Sequence, residues 1–485
     1  MENEYDGLRT YIEAVRGIDQ CKDIEGADWN LEIGTLTEAA TELLAEPPMM
    51  LFDNIKGYPK GFRVLSLPLA SKKRTALVYG LSPDATKLQL VRQITDKIKG
   101  ATPLPPVELP SGPIMENVLR GDDVDLFKFP VLKAHARDGG RYIGTADQVI
   151  NRDPDSGFIN MATYRIQVHS KNLLGLWMSP GQQGRAICQR YWDKGLACPI
   201  VAVFGGDPLL LQASSTKLEW GRSELELVGG LRGKPLPIVK GPITGLPIPA
   251  HAEVAIEGEV PPPSEQSHDE GPFGEWPGYY SGGTLGTGEQ QPVIRVKAIY
   301  YRNDPILVNM APQWPGAPTY SVRFDSGILW DQLEAAGVPD IQGVYIHNPY
   351  LIAVAIKQRY AGHAKQTGLA VLSCAASARN GRYVVVVDED IDPSNLQEVI
   401  WAMETRVDPA SDIETVEGCW GTPLDPRMPP EKRDSKEHTN SRAIFYAVRP
   451  FAWKERFPMV NRADREALRA VARKYKDVLS FPDMA

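Results

Sequence analysis

The sequence has few cysteines and no cysteine motif. Its five cysteines are scattered over 485 residues, and no two of them form a CxxC pair: Cys21, Cys188, Cys198, Cys374 and Cys419. Disulfide frameworks need evenly paired, closely spaced cysteines, and cysteine zinc sites need short-range pairs. The sequence therefore indicates neither a disulfide scaffold nor a cysteine zinc site.

Long apolar runs and an excess of basic residues are also missing. No uninterrupted apolar stretch approaches the roughly 20 residues that span a bilayer. The N-terminal residues MENEYDGLRTYIEAV are acidic and amphipathic, unlike the apolar core of a signal peptide. With 53 Lys and Arg against 61 Asp and Glu, the net charge is −8, which does not attract nucleic acid or anionic membranes. We therefore expect a cytoplasmic protein without nucleic-acid or membrane partners.

Several familiar catalytic motifs are absent as well. The sequence contains no HExxH pair among its seven histidines, no GxSxG elbow and no GxxxxGK[ST] phosphate loop. It thus gives no support for a kinase or an α/β-hydrolase. The glycine-rich run GGTLGTG at 282–288 is weak evidence by itself and favours a flexible loop.

The composition is that of an ordinary globular protein with two or three domains. The length exceeds that over which a single core grows, and 42% apolar residues can fill sizeable cores. Residues 1–113 predict an N-terminal α/β domain. It begins with a helix, because apolar residues recur at helical spacing at Leu8, Tyr11, Ile12 and Val15. The proline-rich segment ATPLPPVELPSGP at 101–113 marks its end.

Residues 114–308 carry a different pattern. The segments AEVAIEGEV at 252–260 and PVIRVKAIYYR at 292–302 alternate apolar and charged side chains, as half-buried strands do. Glycine and proline clusters divide these segments. The region therefore predicts an antiparallel barrel or sandwich.

Residues 309–485 return to an α/β pattern. RYVVVVDED at 382–390 is a continuous apolar run, typical of a strand covered on both faces. It leads into a predicted helix with Asp392 or Ser394 as its cap. The buried stripe of that helix is predicted to be Leu396, Val399, Ile400 and Met403. ADREALRAVARKYKDVL at 463–479 predicts a terminal helix.

Three polar segments of the middle region gain meaning only when taken together. NMATYR at 160–165 places Asn160 and Arg165 on a predicted strand, where an exposed arginine is the simplest interpretation. In GRSELELVGGLRG at 221–233, Glu224 and Glu226 share one face if the segment is a strand, and Glu226 is expected to be a bystander. DEGPFGEWPGYY at 269–280 has the composition of a solvated acidic turn. The order of the three segments is much more specific than any one of them.

That order resembles the UbiD family of reversible decarboxylases, which use prenylated FMN. Six blocks match in family order over nearly the whole chain: NMATYR (160–165), KNLLGLWMSPGQ (171–182), SELELVGG (223–230), EGPFGE (270–275), YAGHAK (360–365) and VVDEDIDPSNLQEVIWAMETR (386–406). The resemblance implies an α/β multi-domain fold. Its parts are an N-terminal α/β domain, a central flavin-binding split β-barrel, and a C-terminal α/β domain that forms a homodimer or higher homo-oligomer.

The resemblance also implies cofactor and metal residues by position. Asn160, Gln183 and Glu224 are expected to hold Mn²⁺ or Mg²⁺, which prefer oxygen ligands. Gln183 stands where several relatives have a histidine, and its amide oxygen is a weaker ligand than imidazole. K⁺ is a further ion that the resemblance implies. The residues expected to contact prenylated FMN are Asn160, Thr163, Tyr164, Arg165, Leu176, Trp177, Met178, Gln182, Gln183 and, at its phosphate, Lys365.

The implied catalytic residues are Arg165, Glu270 and Glu275. Removal of CO₂ from an aromatic, heteroaromatic or α,β-unsaturated acid leaves an unstable carbanion, for which the modified flavin is an electron sink. The protein must then supply a proton. Glu275 is the expected general acid, with its pKa raised by the apolar neighbours Phe273 and Trp276. Glu270 is the expected ionised partner of Arg165, which helps to orient the substrate carboxylate.

The predicted function is a non-oxidative, reversible decarboxylation, with the cofactor supplied by a flavin prenyltransferase. Two alternatives stay open. A conventional FMN oxidoreductase on a split barrel would show reversible bleaching of ordinary FMN. A non-catalytic family subunit would bind neither flavin nor metal, and Gln183 in place of histidine is the only support for it. The sequence indicates neither the substrate acid nor the physiological direction.

Overall fold

The computed structural model describes residues 5–281, 289–314, 320–463, 465–475 and 478; the glycine-rich run at 282–288 lies outside them. The helices are α1 Leu8–Gly17, α2 Glu32–Leu43, α3 Lys72–Val78, α4 Lys87–Gly100, α5 Gln183–Trp192, α6 Pro208–Ser214, α7 Glu224–Arg232, α8 Phe324–Ala335, α9 His363–Ser373, α10 Leu396–Arg406, α11 Pro430–Asp434 and α12 Arg465–Lys474.

The strands are β1 Cys21–Glu25, β2 Met49–Asp53, β3 Arg63–Ser66, β4 Val107–Leu109, β5 Asn117–Arg120, β6 Arg141–Gly144, β7 Gln148–Arg152, β8 Ile159–Ala162, β9 Arg165–Val168, β10 Leu173–Trp177, β11 Cys198–Phe204, β12 Pro237–Lys240, β13 Pro247–Pro249, β14 Val254–Val260, β15 Ser267–Glu270, β16 Phe273–Gly274, β17 Tyr280–Ser281, β18 Glu289–Tyr301, β19 Ile306–Asn309, β20 Ile341–Asn348, β21 Leu351–Ile356, β22 Tyr383–Asp388, β23 Ile413–Trp420 and β24 Thr439–Ala447.

These elements form two compact units. The first consists of Met1–Leu81, Asp96–Asp325 and Trp420–Asn440, and the second of Ser82–Thr95, Ser326–Cys419 and Ser441–Ala485. The mixed α/β architecture with a central curled sheet confirms the predicted fold class. The division into three domains at residues 113 and 308 stays a prediction.

The first unit opens with helix α1 and a small mixed sheet. The sheet runs in the order β1–β2–β3–β19, so a late strand of the middle region completes it. The apolar stripe of α1 is buried, as its helical spacing predicts: Leu8, Tyr11, Ile12 and Val15. The predicted opening helix is therefore confirmed, whereas a separate N-terminal domain over residues 1–113 stays a prediction.

The large sheet of the first unit curls into a half-barrel with its apolar faces inside. Its order is β6–β9–β10–β18–β14–β11–β7–β8, with β5 and β15 also paired to β18. The neighbouring strands are antiparallel, as the alternating segments at 252–260 and 292–302 predict. Buried side chains from facing strands fill the concave core, among them Ile166, Leu176, Ile256 and Ile294.

Residues 221–233 correct the sequence prediction. Most of this segment forms helix α7, so Glu224 and Glu226 lie in the first turn of a helix and not on one face of a strand. A Cβ at Gly230 would lie 2.5 Å from the carbonyl oxygen of Thr102. Glycine at this position reflects close packing of the helix against another segment, which periodicity does not record.

The segment NMATYR is also not a single strand. Asn160 lies on β8 and Arg165 begins β9, with Thr163 and Tyr164 forming the corner between the strands. The corner is fixed by hydrogen bonds from Thr163 N–H to Ser214 O at 2.9 Å and from Thr163 Oγ1 to Asp147 O at 2.9 Å. The corner therefore separates Asn160 on β8 from Arg165 on β9, and these two strands lie near opposite ends of the strand order of the sheet.

The second unit contains a sheet in the order β20–β21–β22–β24–β23. The run at 382–390 forms β22, which is buried along Val384–Asp388 as predicted. Helix α12 occupies part of the predicted terminal helix. Within the described residues, no helix combines the length and apolar character that crossing a membrane requires.

Helix α10 differs from its prediction in two ways. Its cap is Asn395, whose side chain accepts a hydrogen bond from Gln397 N–H, rather than Asp392 or Ser394. Of the predicted stripe, Val399 is buried, Met403 is half-buried, and Leu396 and Ile400 are 44% and 42% exposed. The buried face instead follows Val399, Ala402 and Arg406. Arg406 is drawn inward because its guanidinium pairs with Asp388 at 2.8 Å, a contact that an apolar pattern cannot predict.

Candidate active site

Arg165 meets the segment DEGPFGEWPGYY at 269–280, which we call the acidic loop, in a buried ion-pair cluster. The Arg165 guanidinium donates from Nε and Nη2 to the two carboxylate oxygens of Glu270, at 2.8 and 2.5 Å. Its Nη1 donates to Glu275 Oε1 at 2.5 Å and to Ser281 Oγ at 2.9 Å. Arg165, Glu270 and Glu275 are 6%, 0% and 8% exposed. One guanidinium thus holds both carboxylates of the predicted catalytic set.

Two aromatic rings flank this guanidinium. Pairing of β9 with β10 places Trp177 opposite Arg165, and the Trp177 ring centroid lies 4.7 Å from the guanidinium carbon. The Phe273 ring lies 5.2 Å from the same carbon. Aromatic faces attract a guanidinium and exclude water from it, which strengthens its pairing with carboxylates.

The acidic loop is built as two short strand segments around Glu275. Glu270 ends β15, and β16 then pairs with β17 to form a hairpin. Hydrogen bonds from Glu275 N–H to Tyr279 O at 3.0 Å and from Gly278 N–H to Glu275 O at 2.8 Å close its tip. The loop is therefore an ordered hairpin that presents its carboxylates inward, and not the solvated turn that composition favours.

Burial and neighbouring charges shift the pKa values of Glu275 and Arg165. Burial raises the pKa of Glu275 above its ordinary value, although the Arg165 charge and hydrogen bond oppose the change. Burial alone would lower the pKa of Arg165, but the charges of Glu270 and Glu275 outweigh it and the pKa is raised. The site therefore contains a permanently charged guanidinium beside a carboxyl that retains its proton to higher pH than in water.

The three predicted metal ligands converge on β8. Glu224, at the start of α7, accepts a hydrogen bond at Oε2 from the N–H of Met161, the residue after Asn160. Asn160 Nδ2 donates to Asn151 Oδ1 at 3.2 Å. Gln183 begins α5, and the next residue of that helix donates its N–H to the Tyr164 hydroxyl at 3.0 Å. The elements β8, α5 and α7 thus bring the three predicted ligands into one region.

The other predicted cofactor residues lie in different places. Leu176 has its side chain in the hydrophobic core of the half-barrel. The stretch from the end of β10 to the cap of α5 contains Trp177, Met178 and Gln182. Lys365 is on α9 in the second unit, where its Nζ lies 3.1 Å from Glu414 Oε2. A contact of Lys365 with the cofactor phosphate stays a prediction.

Comparison with known proteins identifies the family. Domain models of the 3-octaprenyl-4-hydroxybenzoate carboxy-lyase match successive parts of the chain: its N-terminal domain at residues 12–96, its Rift-related domain at 106–315 and its C-terminal domain at 326–447. The chain belongs to the UbiD family. The predicted resemblance is confirmed, and the protein is a carboxy-lyase.

Individual relatives cover most of the chain. The phenolic acid decarboxylase of Bacillus subtilis (strain 168) is 32% identical over 412 residues, which are 82% of this chain and 84% of the relative. The vanillic acid decarboxylase of Sedimentibacter hydroxybenzoicus in closed form has a TM-score of 0.84 at 28% identity, covering 97% of this chain and 98% of that one. The UbiD-class enzyme HmfF from Pelotomaculum thermopropionicum in complex with FMN has a TM-score of 0.82 at 25% identity, covering 98% and 100%.

The predicted ligand residues fit the divalent cation that the resemblance to the UbiD family implies. Glu224 is 3% exposed, and no Lys, Arg or His among the described residues forms an ion pair with it. Burial raises its pKa to about 7. Gln183 Nε2 donates to Leu218 O at 2.8 Å, whereas its Oε1 is buried and no donor in the described parts of the chain reaches it. An uncompensated carboxylate and an unpaired amide oxygen are groups that a hard cation would satisfy.

This donor set differs from the usual protein metal cluster. The described residues contain no group of three or more His, Cys, Asp or Glu that could hold a metal ion. The proposed site has one carboxylate and two amide oxygens, so it is not a group of that kind. It suits Mg²⁺ or Mn²⁺ better than zinc, which prefers nitrogen and sulfur ligands.

Sequence reasoning missed several polar residues around these sites. Asn151 is buried; besides accepting from Asn160, it donates from Nδ2 to Gly184 O at 3.0 Å, so it links two of the ligand-bearing elements. Asp147 is also buried and accepts a hydrogen bond at Oδ2 from Tyr164 N–H at 3.2 Å. Neither belongs to a sequence motif, and only the fold reveals its partners.

Asp147 leads to a prediction about pH and stability. Burial raises its pKa from the ordinary value of 3.8 to about 8. Between these pH values the native state keeps the proton and the unfolded state releases it, so the native protein loses stability as pH rises. We expect Asp147→Asn to gain unfolding free energy over wild type by about 1.4 kcal/mol per pH unit from about pH 4 to about pH 8. Urea denaturation of cofactor-free protein across this range would measure it, and parallel profiles would contradict it.

Proposed function

We propose that this enzyme decarboxylates an aromatic carboxylic acid, with prenylated FMN bound beside the Arg165 cluster and Glu275 as its general acid. The observation that carries the proposal is the cluster itself, in which one buried guanidinium holds two carboxylates and burial raises the pKa of Glu275. The names of the relatives support the substrate class, since one is a phenolic acid decarboxylase and another a vanillic acid decarboxylase. The HmfF complex with FMN supports a flavin.

The chain would hold the cofactor and its metal by the residues already described. Asn160, Gln183 and Glu224 would provide oxygen ligands to Mn²⁺ or Mg²⁺, whose charge compensates Glu224 and would pair with the flavin phosphate. Bound prenylated FMN would supply an electrophilic centre that accepts the electron pair left by departing CO₂. K⁺ is a further ion that the proposal allows.

Arg165 would orient the substrate before carbon dioxide leaves. Its guanidinium is charged at every physiological pH. Four of its five N–H groups donate to Glu270, Glu275 and Ser281, and the remaining Nη2 N–H would donate to one oxygen of the substrate carboxylate. Glu270 holds Nε and Nη2, so the guanidinium plane is fixed. Trp177 and Phe273 shield it, and in such an environment the orientation of a carboxylate costs little reorganisation.

Glu275 would then deliver the proton that replaces the carboxylate. The carbon–carbon bond to CO₂ breaks, and a carbon–hydrogen bond forms with the Glu275 proton. Solvent reprotonates the carboxylate afterwards. In the reverse direction Glu275 would act as base, so a high CO₂ concentration would favour carboxylation. A raised pKa suits the donor role, because the buried carboxyl keeps its proton to higher pH than an ordinary glutamic acid does.

The test is turnover by protein co-expressed with a flavin prenyltransferase. A panel of hydroxylated benzoic acids, heteroaromatic acids and α,β-unsaturated acids would be assayed for CO₂ release and, in heavy water, for deuterium at the vacated carbon. We expect release and incorporation with hydroxylated benzoic acids. Turnover limited to heteroaromatic or unsaturated acids would contradict the aromatic substrate class, and reversible bleaching of ordinary FMN without CO₂ release would indicate an oxidoreductase.

A further inference from the structure

The loop at 270–275 rests on one short segment, residues 135–142, which we call the support segment. Asp138 lies at its centre, with a fully buried side chain. Its Oδ1 accepts a hydrogen bond from Gly274 N–H at 3.0 Å, and its Oδ2 accepts one from His135 N–H at 2.9 Å. This carboxylate therefore joins the support segment to the residue that precedes the proposed general acid.

The backbones of the two segments touch directly beside Asp138. Gly139 N–H donates to Pro272 O at 2.7 Å. A Cβ at Gly139 would lie 1.9 Å from the carbonyl oxygen of Gly271, so a larger residue would displace the loop. Glycine is the residue that permits such a close approach of two backbones. The position of the acidic loop against the support segment is thus fixed by direct backbone contact.

Side chains complete the contact at both ends of the loop. The Tyr142 and Phe273 rings lie 4.4 Å apart between centroids, and the Tyr142 hydroxyl is within 3.4 Å of Pro272 O. From β9, Gln167 Oε1 accepts a hydrogen bond from Gly271 N–H at 3.1 Å. These contacts fix the start of the loop, and Asp138 fixes its far side next to Glu275.

We propose that Asp138 is a positioning residue for proton delivery: through Gly274 it sets where the carboxyl of Glu275 stands against Arg165. The inference rests on the proposed function, in which Glu275 supplies the proton. A general acid must lie within hydrogen-bond reach of the atom that it protonates. Asp138 acts through the Gly274 backbone, so its loss should affect the proton-transfer step more than binding of the flavin.

The test compares Asp138→Ala and Asp138→Asn with Glu257→Ala in the cofactor-loaded full chain. Glu257 is a matched control, because it is another fully buried carboxylate that accepts hydrogen bonds from loop backbone, at Ile243 and Thr244, away from the acidic loop. We expect Asp138→Ala to lower kcat about 10- to 100-fold, as displacement of a catalytic group by about 1 Å does, with FMN affinity unchanged. Asp138→Asn keeps an oxygen acceptor for Gly274 and should recover most of kcat.

Amide hydrogen exchange of residues 270–281 provides a readout without turnover. We expect faster exchange in Asp138→Ala than in wild type or Glu257→Ala. Wild-type exchange and kcat in Asp138→Ala would overturn the inference, and so would equal losses of kcat in Asp138→Ala and Glu257→Ala. If Asp138→Ala does not fold, Gly139→Ala displaces the same loop and carries the same expectation. A wild-type enzyme that releases no CO₂ would instead overturn the proposed function, while the exchange result would still decide the role of Asp138.

Discussion

Glu275→Gln is expected to abolish decarboxylation while the flavin remains bound. Glutamine has nearly the shape of glutamic acid and its Oε1 can still accept the hydrogen bond from Arg165 Nη1, but it has no proton to give to carbon. Loss of a positioned general acid lowers rates by about 10²- to 10⁴-fold. The effect should fall on kcat, because Glu270 still fixes the Arg165 guanidinium, which is the group proposed to orient the substrate carboxylate.

Three measurements separate this expectation from misfolding. CO₂ release should fall to near background, the bound flavin spectrum should match wild type, and deuterium incorporation should fall in parallel with CO₂ release. Glu265→Gln provides a control, since Glu265 pairs with Arg295 on the surface at 2.7 Å and is outside the cluster. Undiminished CO₂ release from Glu275→Gln would remove Glu275 from the mechanism.

The cluster also bears on the alternatives that the sequence leaves open. Hydride transfer by a conventional FMN oxidoreductase requires no buried arginine between two carboxylates. Burying such charged groups is expensive, and apolar residues of similar volume often stabilise a protein as well as a buried ion pair does. A non-catalytic subunit would have no use for that arrangement. The intact cluster therefore favours a catalytic role, despite glutamine at position 183.

Periodicity predicted those parts of the fold that depend on burial alone. The stripe of α1, the outward Lys297 of β18 and the apolar run of β22 all follow from which face is covered. Strand β14 differs from the predicted half-buried strand, because Glu257 on its polar face is 0% exposed. The prediction was wrong where a long-range partner decides the outcome. Gly230 allows α7 to pack closely against Thr102. Arg406 is buried on α10 because it pairs with Asp388. Thr102 and Asp388 are both distant in sequence from the residues that they contact.

The residues of the candidate site also differ in whether the sequence could predict them. The resemblance to the UbiD family implied the catalytic residues Arg165, Glu270 and Glu275. In the structure Arg165 contacts both glutamates. Asp138, Asp147 and Asn151 carry no motif, because each acts on backbone or on another side chain that the fold brings near. Their identification requires the strand register and the corner at Thr163 and Tyr164.

Glu224→Gln is expected to lose the metal and the flavin together. Glu224 is the single carboxylate among the three proposed ligands, so its replacement removes the only ligand charge that attracts the cation. Changes that merely disturb the surroundings of a metal ligand lower metal affinity by 10- to 100-fold, and loss of a charged ligand should exceed about 100-fold. Because the metal would pair with the flavin phosphate, FMN affinity should fall with it.

The same substitution should make the cofactor-free protein more stable, which distinguishes a ligand from a structural residue. Burial raises the native pKa of Glu224 from 4.5 to about 7, so the wild-type native state loses stability as pH rises through this range, and glutamine removes that loss.

Glu226→Gln, two residues along the same helix and half-buried, is the matched control. Mn²⁺ titration by electron paramagnetic resonance, FMN fluorescence quenching and urea denaturation would measure the three effects. Wild-type affinities for Mn²⁺ and FMN in Glu224→Gln would contradict the proposed metal site, whereas loss of affinity together with loss of cofactor-free stability would indicate that Glu224 supports the fold.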